Sequence, residues 1–357
     1  MKKLVLALVI GLMVFQIAGC GLNAGESTTT GSDSAGLTNS AARDGTEVSE
    51  ETFNITYAYA DSEDSMVHAT ASKFKEVVEE MSGGRVSIDL YPNGSLGSTV
   101  ELAAGLKDGT ITMMSGDMTP VIYEPYGIFE SPFIFTDRAT ALKVMEKGSE
   151  FRNAIDEISE QANIKLLSAV PSSFRMLSTN KETRSMADIA GTKIRVMEDE
   201  IPMTLWNSLG ASPTPLTIGE VYIALQQGLV EAQENPMSLM ISYKFYEQQK
   251  YLVATNHKFF FTEILMNLQY YNNLPDDIKR IIDEALVEVD AFTYQYGIDD
   301  ENKAREFLEE NGVEYIELSD EDYAQMREAA APVYDIIRQR CGDDMVDLLL
   351  KSVEEAN

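Results

Sequence analysis

Apolar and polar residues alternate along residues 54–59 and again along 86–90, which is the two-residue period of a half-buried strand. Between them Val67, Ala71, Phe74, Val78 and Met81 recur at helical spacing until Gly83-Gly84 stops the run. A helix over 98–107, closed at Asp108-Gly109, and a short strand over 111–114 complete a β-α-β-α-β opening. That order predicts an α/β domain with helices packed on its sheet. After an aromatic and proline-rich stretch at 123–135, the pattern predicts helices at 137–146 and 149–161 and strands at 164–169, 175–178 and 193–196. Helices at 201–209 and 219–227 follow, and Pro236 opens another. Strands at 251–256 and 263–270 are expected to return to the first sheet. The remainder reads as helix over 275–311 and 319–355, broken by Gly312 and a strand-like 314–318. No repeat of solenoid type is visible.

The stretch 191–236 carries the chemistry. Lys193-Ile194-Arg195-Val196 reads as a short strand, and Pro202, Leu205, Trp206 and Leu209 read as the helix after it. An arginine between a strand and a helix suits an anionic ligand. Its planar fork can hold a carboxylate through two hydrogen bonds while helix N-terminal amides face the same space.

The first fifty residues differ from the rest. Lys2 and Lys3 precede an unbroken apolar run over 4–15, the pattern of an export signal, and the run is too short to span a bilayer as a helix. Ile17-Ala18-Gly19-Cys20 resembles a bacterial lipobox, which predicts a signal over 1–19 and a lipid-modified Cys20 at the mature N-terminus. Residues 20–51, rich in Gly, Ser, Thr and Asn, read as a flexible tether with a reach of roughly 30 Å, leaving a folded region over 52–357. The expected location is outside the cytoplasm, anchored by lipid to the cell membrane.

Composition narrows the function classes. With 357 residues and 44% apolar content the chain can bury one large or two medium cores. The formal charge of −30 becomes −32 when Lys2 and Lys3 leave with the signal, which argues against nucleic acid as a partner. An anionic solute would then need a local cationic site. Cys341 is the only cysteine besides Cys20, so no internal disulfide is expected. His68 and His257 lack companions at metal-ligand spacing, so neither metal nor cofactor is expected. There is no P-loop, no dinucleotide fingerprint and no Gly-x-Ser-x-Gly elbow, and enzymatic readings have little to stand on.

Four runs then appear in order: Lys193-Ile194-Arg195-Val196; Leu209-Gly210-Ala211 with Pro213 and Pro215; Glu220-Val221-Tyr222 with Ala224-Leu225-Gln226-Gln227-Gly228; and Gln233-Glu234-Asn235-Pro236. In this order and spacing they resemble the solute-binding proteins of tripartite ATP-independent (TRAP) transporters, DctP type, over nearly all of the chain from about Phe53. The resemblance implies an α/β, two-domain clamshell of the type II periplasmic-binding-protein design with a hinge-spanning helix from Pro275. The implied domains interleave, one from 52–168 with part of 251–357, the other from 169–250 with part of the C-terminal region. It also implies an organic-acid ligand and a TRAP membrane permease as partners, with no catalysis.

By the same resemblance Arg195 and Arg175 face the ligand, Asn235 supplies an amide, and Asp117 supplies an acidic contact. The competing readings are a pairing with a structural acid for Arg195, a surface salt bridge for Arg175, a helix cap for Asn235 and a solvent-facing loop acid for Asp117. Trp206 and Tyr222, with Tyr126 and Phe174, are candidates for stacking on a ring, against the alternative that they pack in the core. The chain departs from the family pattern at Met197, where a proline is usual, and at Glu231-Ala232 in place of Asp-Gly. The segment 198–215 looks closest to members that take uronates, so a hexuronate is expected ahead of a C4-dicarboxylate or keto acid. An Asp117 carboxylate would repel a second ligand carboxylate yet accept hydroxyls. A lipid-anchored carbohydrate-processing enzyme and an adhesin are the readings from other classes.

Overall fold

The computed structural model describes residues 51–357, so the expected leader, Cys20 and the tether up to residue 50 lie outside the described residues. The chain begins with β1 (Phe53–Ala58), α1 (Met66–Met81), β2 (Val86–Tyr91), α2 (Thr99–Asp108) and β3 (Met113–Asp117), as the alternating pattern predicts. A 3-10 helix at Glu124–Glu130 follows, then α3 (Arg138–Val144), α4 (Glu150–Gln161) and β4 (Ile164–Thr179). The middle of the chain supplies β5 (Lys193–Val196), α5 (Glu200–Ser208), β6 (Ser212–Pro215), α6 (Val221–Gln226), β7 (Ala232–Asn235) and α7 (Met237–Ser242). The last part is β8 (Tyr251–Asn267), α8 (Leu268–Asn273), α9 (Asp276–Glu310), β9 (Glu314–Ile316), α10 (Asp320–Ala329), α11 (Ala331–Cys341) and α12 (Asp343–Ala356). No helix among the described residues is long and apolar enough to cross a membrane.

One mixed sheet carries both halves. Its strand order is β2-β1-β3-β8-β4-β7-β5-β6, with β9 added beside β8. β1 lies parallel to β2 and β3, and β5 lies parallel to β6 and β7, so each half contains its own parallel group. β8 and β4 join the two groups through antiparallel pairings. Packed on one face of the first group, α1 and α9 bury Phe74, Val78, Ile278 and Ile282 against Ile55 and Ile88. The other core has α2, α3 and α4 on β3, β4 and β8 and α5 on β5 and β6, with α11 and α12 lying against these helices, which makes a layered α/β/α arrangement.

The long strands correct the expected order. Residues 164–169 and 175–178 belong to the single 16-residue β4, and 251–256 and 263–267 to the single 17-residue β8. Register shifts at Leu166/Ser168, Pro171/Ser173 and Arg175/Leu177 break the alternation of the sequence within β4. Each bulge resets the inside-outside alternation, and Pro171 has no N–H for the ladder, so the period is lost while the strand continues. Residues 268–270 are helical rather than extended, because the Asn267 side chain caps α8 by accepting from the Tyr270 N–H at 2.8 Å. The expected helix over 319–355 is three helices, divided near Ala330 before Pro332 and at Gly342, whose φ is 85°.

β6 and β7 were not anticipated. Pro213 and Pro215 spoke against a strand, but β6 is the sheet edge, where a missing N–H is tolerated. β7 is polar in sequence yet wholly buried, which its side-chain partners make possible.

α9 runs 35 residues, about 52 Å at 1.5 Å per residue, and touches α1 and β4 of one half and α7 and β9 of the other. It crosses β4 where a Cβ on Gly297 would stand 2.7 Å from the Ser172 carbonyl oxygen. Only glycine permits that approach, and the contact lies at the Pro171/Ser173 bulge where β4 passes from one half to the other.

Candidate ligand-binding site

The parallel strands of both halves end at one cavity of about 470 Å³. Ala60, Asp61 and Ser62 follow β1, Asn93 and Gly94 follow β2, and Asp117 is the last residue of β3. From the other half come Arg195 of β5, Met197 and Glu198 just beyond it, the 216–219 turn after β6, and Asn235 at the end of β7. The carboxyl ends of parallel strands are where open α/β sheets take their ligands.

Arg195 is 3% exposed, held by its neighbours Ile194 and Val196 in the core and by Nε, which donates to the Leu216 carbonyl at 2.8 Å. No carboxylate among the described residues lies within ion-pair distance of it. Burial lowers its pKa to about 10, with the Arg175 cation adding to that and Glu234 and Glu198 opposing. A guanidinium desolvated without a counter-ion gains most from an incoming carboxylate.

Arg175 is differently engaged. Its Nε donates to Glu234 Oε2 at 2.6 Å and its Nη2 to Oε1 at 2.9 Å and to the Glu234 carbonyl at 2.7 Å. Nη1 is left toward the cavity, 3.8 Å from Asp117 Oδ2. Burial alone would raise the Glu234 carboxyl, but Arg175 and His257 outweigh it and hold it far below the usual carboxylate range. His257 is pushed down by its own burial against the pull of Glu234, so the ring is neutral at neutral pH. Nε2–H then donates to Glu234 at 3.0 Å, and Nδ1 accepts from the Thr255 hydroxyl at 2.9 Å. The competing reading of Arg175, a surface salt bridge, is corrected: the pair with Glu234 is buried, and Arg175 also takes its place on the cavity wall.

Asp117 is neither loose nor solvent-facing. Lys258 Nζ donates to its Oδ2 at 2.8 Å, the Phe261 N–H to its Oδ1 at 3.1 Å, and the same ammonium reaches Glu130 at 2.6 Å. Burial would lower the Lys258 pKa, yet Asp117 and Glu130 outweigh it and raise it, so the ammonium stays charged. Asn235 donates Nδ2–H to Gln233 Oε1 at 2.5 Å and caps nothing, since α7 has no side-chain cap. Behind the wall, Glu263 is fully buried with neither carboxyl oxygen hydrogen-bonded to another of the described residues, and burial, then Asp117, raise its pKa well above the usual carboxylate range.

The expected aromatics do not reach the cavity. Trp206 is fully buried edge-on to His257, at a separate void of about 10 Å³. Tyr222 of α6 is half-buried, and its hydroxyl donates to Glu247 at 2.6 Å. Tyr126 is buried with its hydroxyl on Ser159 at 2.7 Å, and Phe174 packs on Phe259 with ring centroids 3.9 Å apart. The aromatic wall is instead Tyr243 and Phe260. Phe260 sits in a run that reads as core, and nothing in the pattern separates it from its neighbours. Asp61 had a usable signal, its place just past the end of a parallel strand.

The family model of bacterial extracellular solute-binding protein, family 7 (DctP), matches residues 57–340. The C4-dicarboxylate-binding periplasmic protein DctP of Rhodobacter capsulatus is 28% identical over 280 residues, 77% of this chain and 84% of that protein. The sugar acid binding protein DctPAm from Advenella mimigardefordensis, solved with galactonate, superposes with a TM-score of 0.81 at 26% identity, covering 86% of this chain and 99% of that one. A TRAP periplasmic solute-binding protein from Haemophilus influenzae with bound L-gulonate gives 0.79 at 27%, covering 86% and 100%. Processing enzyme and adhesin are thereby set aside. The chain belongs to the family 7 bacterial extracellular solute-binding proteins, the DctP type of TRAP transporters, and is a binding protein and not an enzyme.

Proposed function

We propose that this protein captures a sugar acid, of hexuronate type ahead of a C4-dicarboxylate, and presents it to a TRAP membrane permease. The observation that carries the reading is Arg195, a buried guanidinium without an ion-pair partner among the described residues, on the wall of a cavity of about 470 Å³. That volume falls within the ~300–1,000 Å³ of small-molecule sites. The ligand carboxylate would sit on Arg195, Asn235 and Arg175 Nη1 would meet polar groups beside it, and Tyr243 and Phe260 would flank the carbon skeleton. Relatives with galactonate and L-gulonate bound support a polyhydroxy acid, while the Rhodobacter relative keeps the diacid as the competitor.

Two lobes, 52–168 with part of 251–357 and 169–250 with part of the C-terminal region, would close over the ligand by bending where β4, β8 and α9 cross. A ligand touching both favours the closed state by its differential affinity. The segment 198–215, which motivated the uronate expectation, lends only Glu198 to the cavity, since its apolar residues are core. Calorimetry with glucuronate, galacturonate, gulonate, galactonate, succinate and malate tests the reading. A sugar acid should bind with the lowest Kd, and tight binding of a C4-diacid with no sugar-acid response would overturn it.

A further inference from the structure

The charges around the cavity are paired unevenly. Arg175 is taken by Glu234, and Asp117 by Lys258. Glu198 is exposed, where water and salt screen it. Two charges on the lining are left, Arg195 from one half of the sheet and Asp61 from the other. Asp61 is half-buried, and among the described residues its carboxyl has no ion pair and no hydrogen bond from a neighbouring residue. Its loop is fixed: the Asn93 N–H donates to the Asp61 carbonyl at 2.8 Å, and the Gly94 N–H to the Tyr59 carbonyl at 3.1 Å. The side chain is therefore held at the cavity by backbone and not by any partner of its own.

We propose that Asp61 sets the class of ligand by barring a second carboxylate and accepting a hydroxyl in its place. This rests on the sugar-acid reading above and names the residue that enforces it. Asp117 cannot do so as the sequence suggested, because Lys258 already neutralises it at 2.8 Å and its second oxygen is taken by the Phe261 amide. A ligand carboxylate on Arg195 leaves the remainder of a short acid facing the β1 side of the cavity, where the Asp61 carboxylate and the Ser62 hydroxyl stand without partners among the described residues, and only Asp61 carries a charge. Two carboxylates in a cleft that excludes water repel strongly, whereas a hydroxyl donor satisfies a lone carboxylate.

The electrostatics agree with this placement. Burial first, then Asp117, raise the Asp61 pKa to about 6 with Arg175 partly opposing, so the group is ionised at neutral pH yet poorly solvated. The Tyr243 phenol is raised by burial and by the field of Asp61 and lowered by that of Arg195, so both charges act on a ring of the cavity wall. An anion would be drawn to one end of this field and rejected at the other.

The test is calorimetry on wild type, Asp61→Asn and Asp61→Glu with the best-bound sugar acid and with succinate, each variant first checked by its melting temperature. Asp61→Asn should gain at least about tenfold in succinate affinity while its sugar-acid affinity falls, and Asp61→Glu should still reject succinate. Succinate affinity within twofold of wild type in Asp61→Asn overturns the inference and leaves the sugar-acid reading intact. Wild type that prefers succinate overturns both.

Discussion

Arg195→Lys is expected to weaken binding of the cognate acid by about 2 kcal/mol or more, roughly thirtyfold in Kd, without unfolding the protein. Charge is conserved in this variant, so the loss isolates the fork. In the wild type Nε is committed to the Leu216 carbonyl, and this cavity-lining side chain has no hydrogen bond from either Nη group to another of the described residues, which leaves both as donors for a ligand. Lysine has no Nε to anchor and offers a single ammonium at the end of a flexible stem. Stability should change little, because Arg195 makes no ion pair among the described residues whose loss would strand a buried acid. Calorimetry and a melting curve on the same preparation check both halves of the statement. Binding within twofold of wild type would show that the carboxylate sits elsewhere.

Glu234→Gln should have the largest effect on stability, a loss of about 3–5 kcal/mol, the usual cost of breaking a buried pair from one side. Arg175 is 2% exposed and its Nε and Nη2 both end on Glu234, so the variant leaves a desolvated cation without its counter-ion. Removing both partners together, as Arg175→Met with Glu234→Met, should cost less than the single change. The pH dependence has a definite sign. Because the native Glu234 pKa is depressed, its contribution is present above the unfolded carboxylate value near ~4.3 and is lost as pH falls below it. Melting temperatures between about pH 7 and about pH 3 should fall more steeply for wild type than for Glu234→Gln. Parallel curves would mean that the pair contributes no linked stability.

Much of the first half of the fold could be read from the sequence because its elements are regular. The strand 54–59, the helix with Val67 to Met81 and the strand 86–90 bury one face each, and burial imprints a period. The long strands were harder. β4 and β8 pass through both halves, are buried on both faces and carry bulges, and those conditions erase alternation. The site divides along similar lines. Arg195, Arg175, Asn235 and Asp117 stand in recognisable motifs, and all four line the cavity. Trp206 and Tyr222 stand in motifs too, but motif membership does not say which way a side chain points. Trp206 faces His257 because α5 buries that side, and Tyr222 packs half-buried against the core around α6 with its hydroxyl on Glu247.

The uneven pairing of charge is a tertiary property that sequence does not carry. Lys258 and Asp117 are 141 positions apart, Arg175 and Glu234 59 apart, and only the folded sheet decides that Arg195 and Asp61 are the charges left over. The deduction that an acid ligand needs a local cation against a strongly negative chain was available from composition alone. Which of the two arginines remains unneutralised was not.

A crystal structure of the protein with its best-binding acid would show which arginine holds the ligand carboxylate. The ligand carboxylate should lie within hydrogen-bond distance of both Nη atoms of Arg195, with the Arg175–Glu234 pair intact beside it. A carboxylate bound away from Arg195, or an Arg175 that leaves Glu234 to hold it, would overturn Arg195 as the anchor of the ligand.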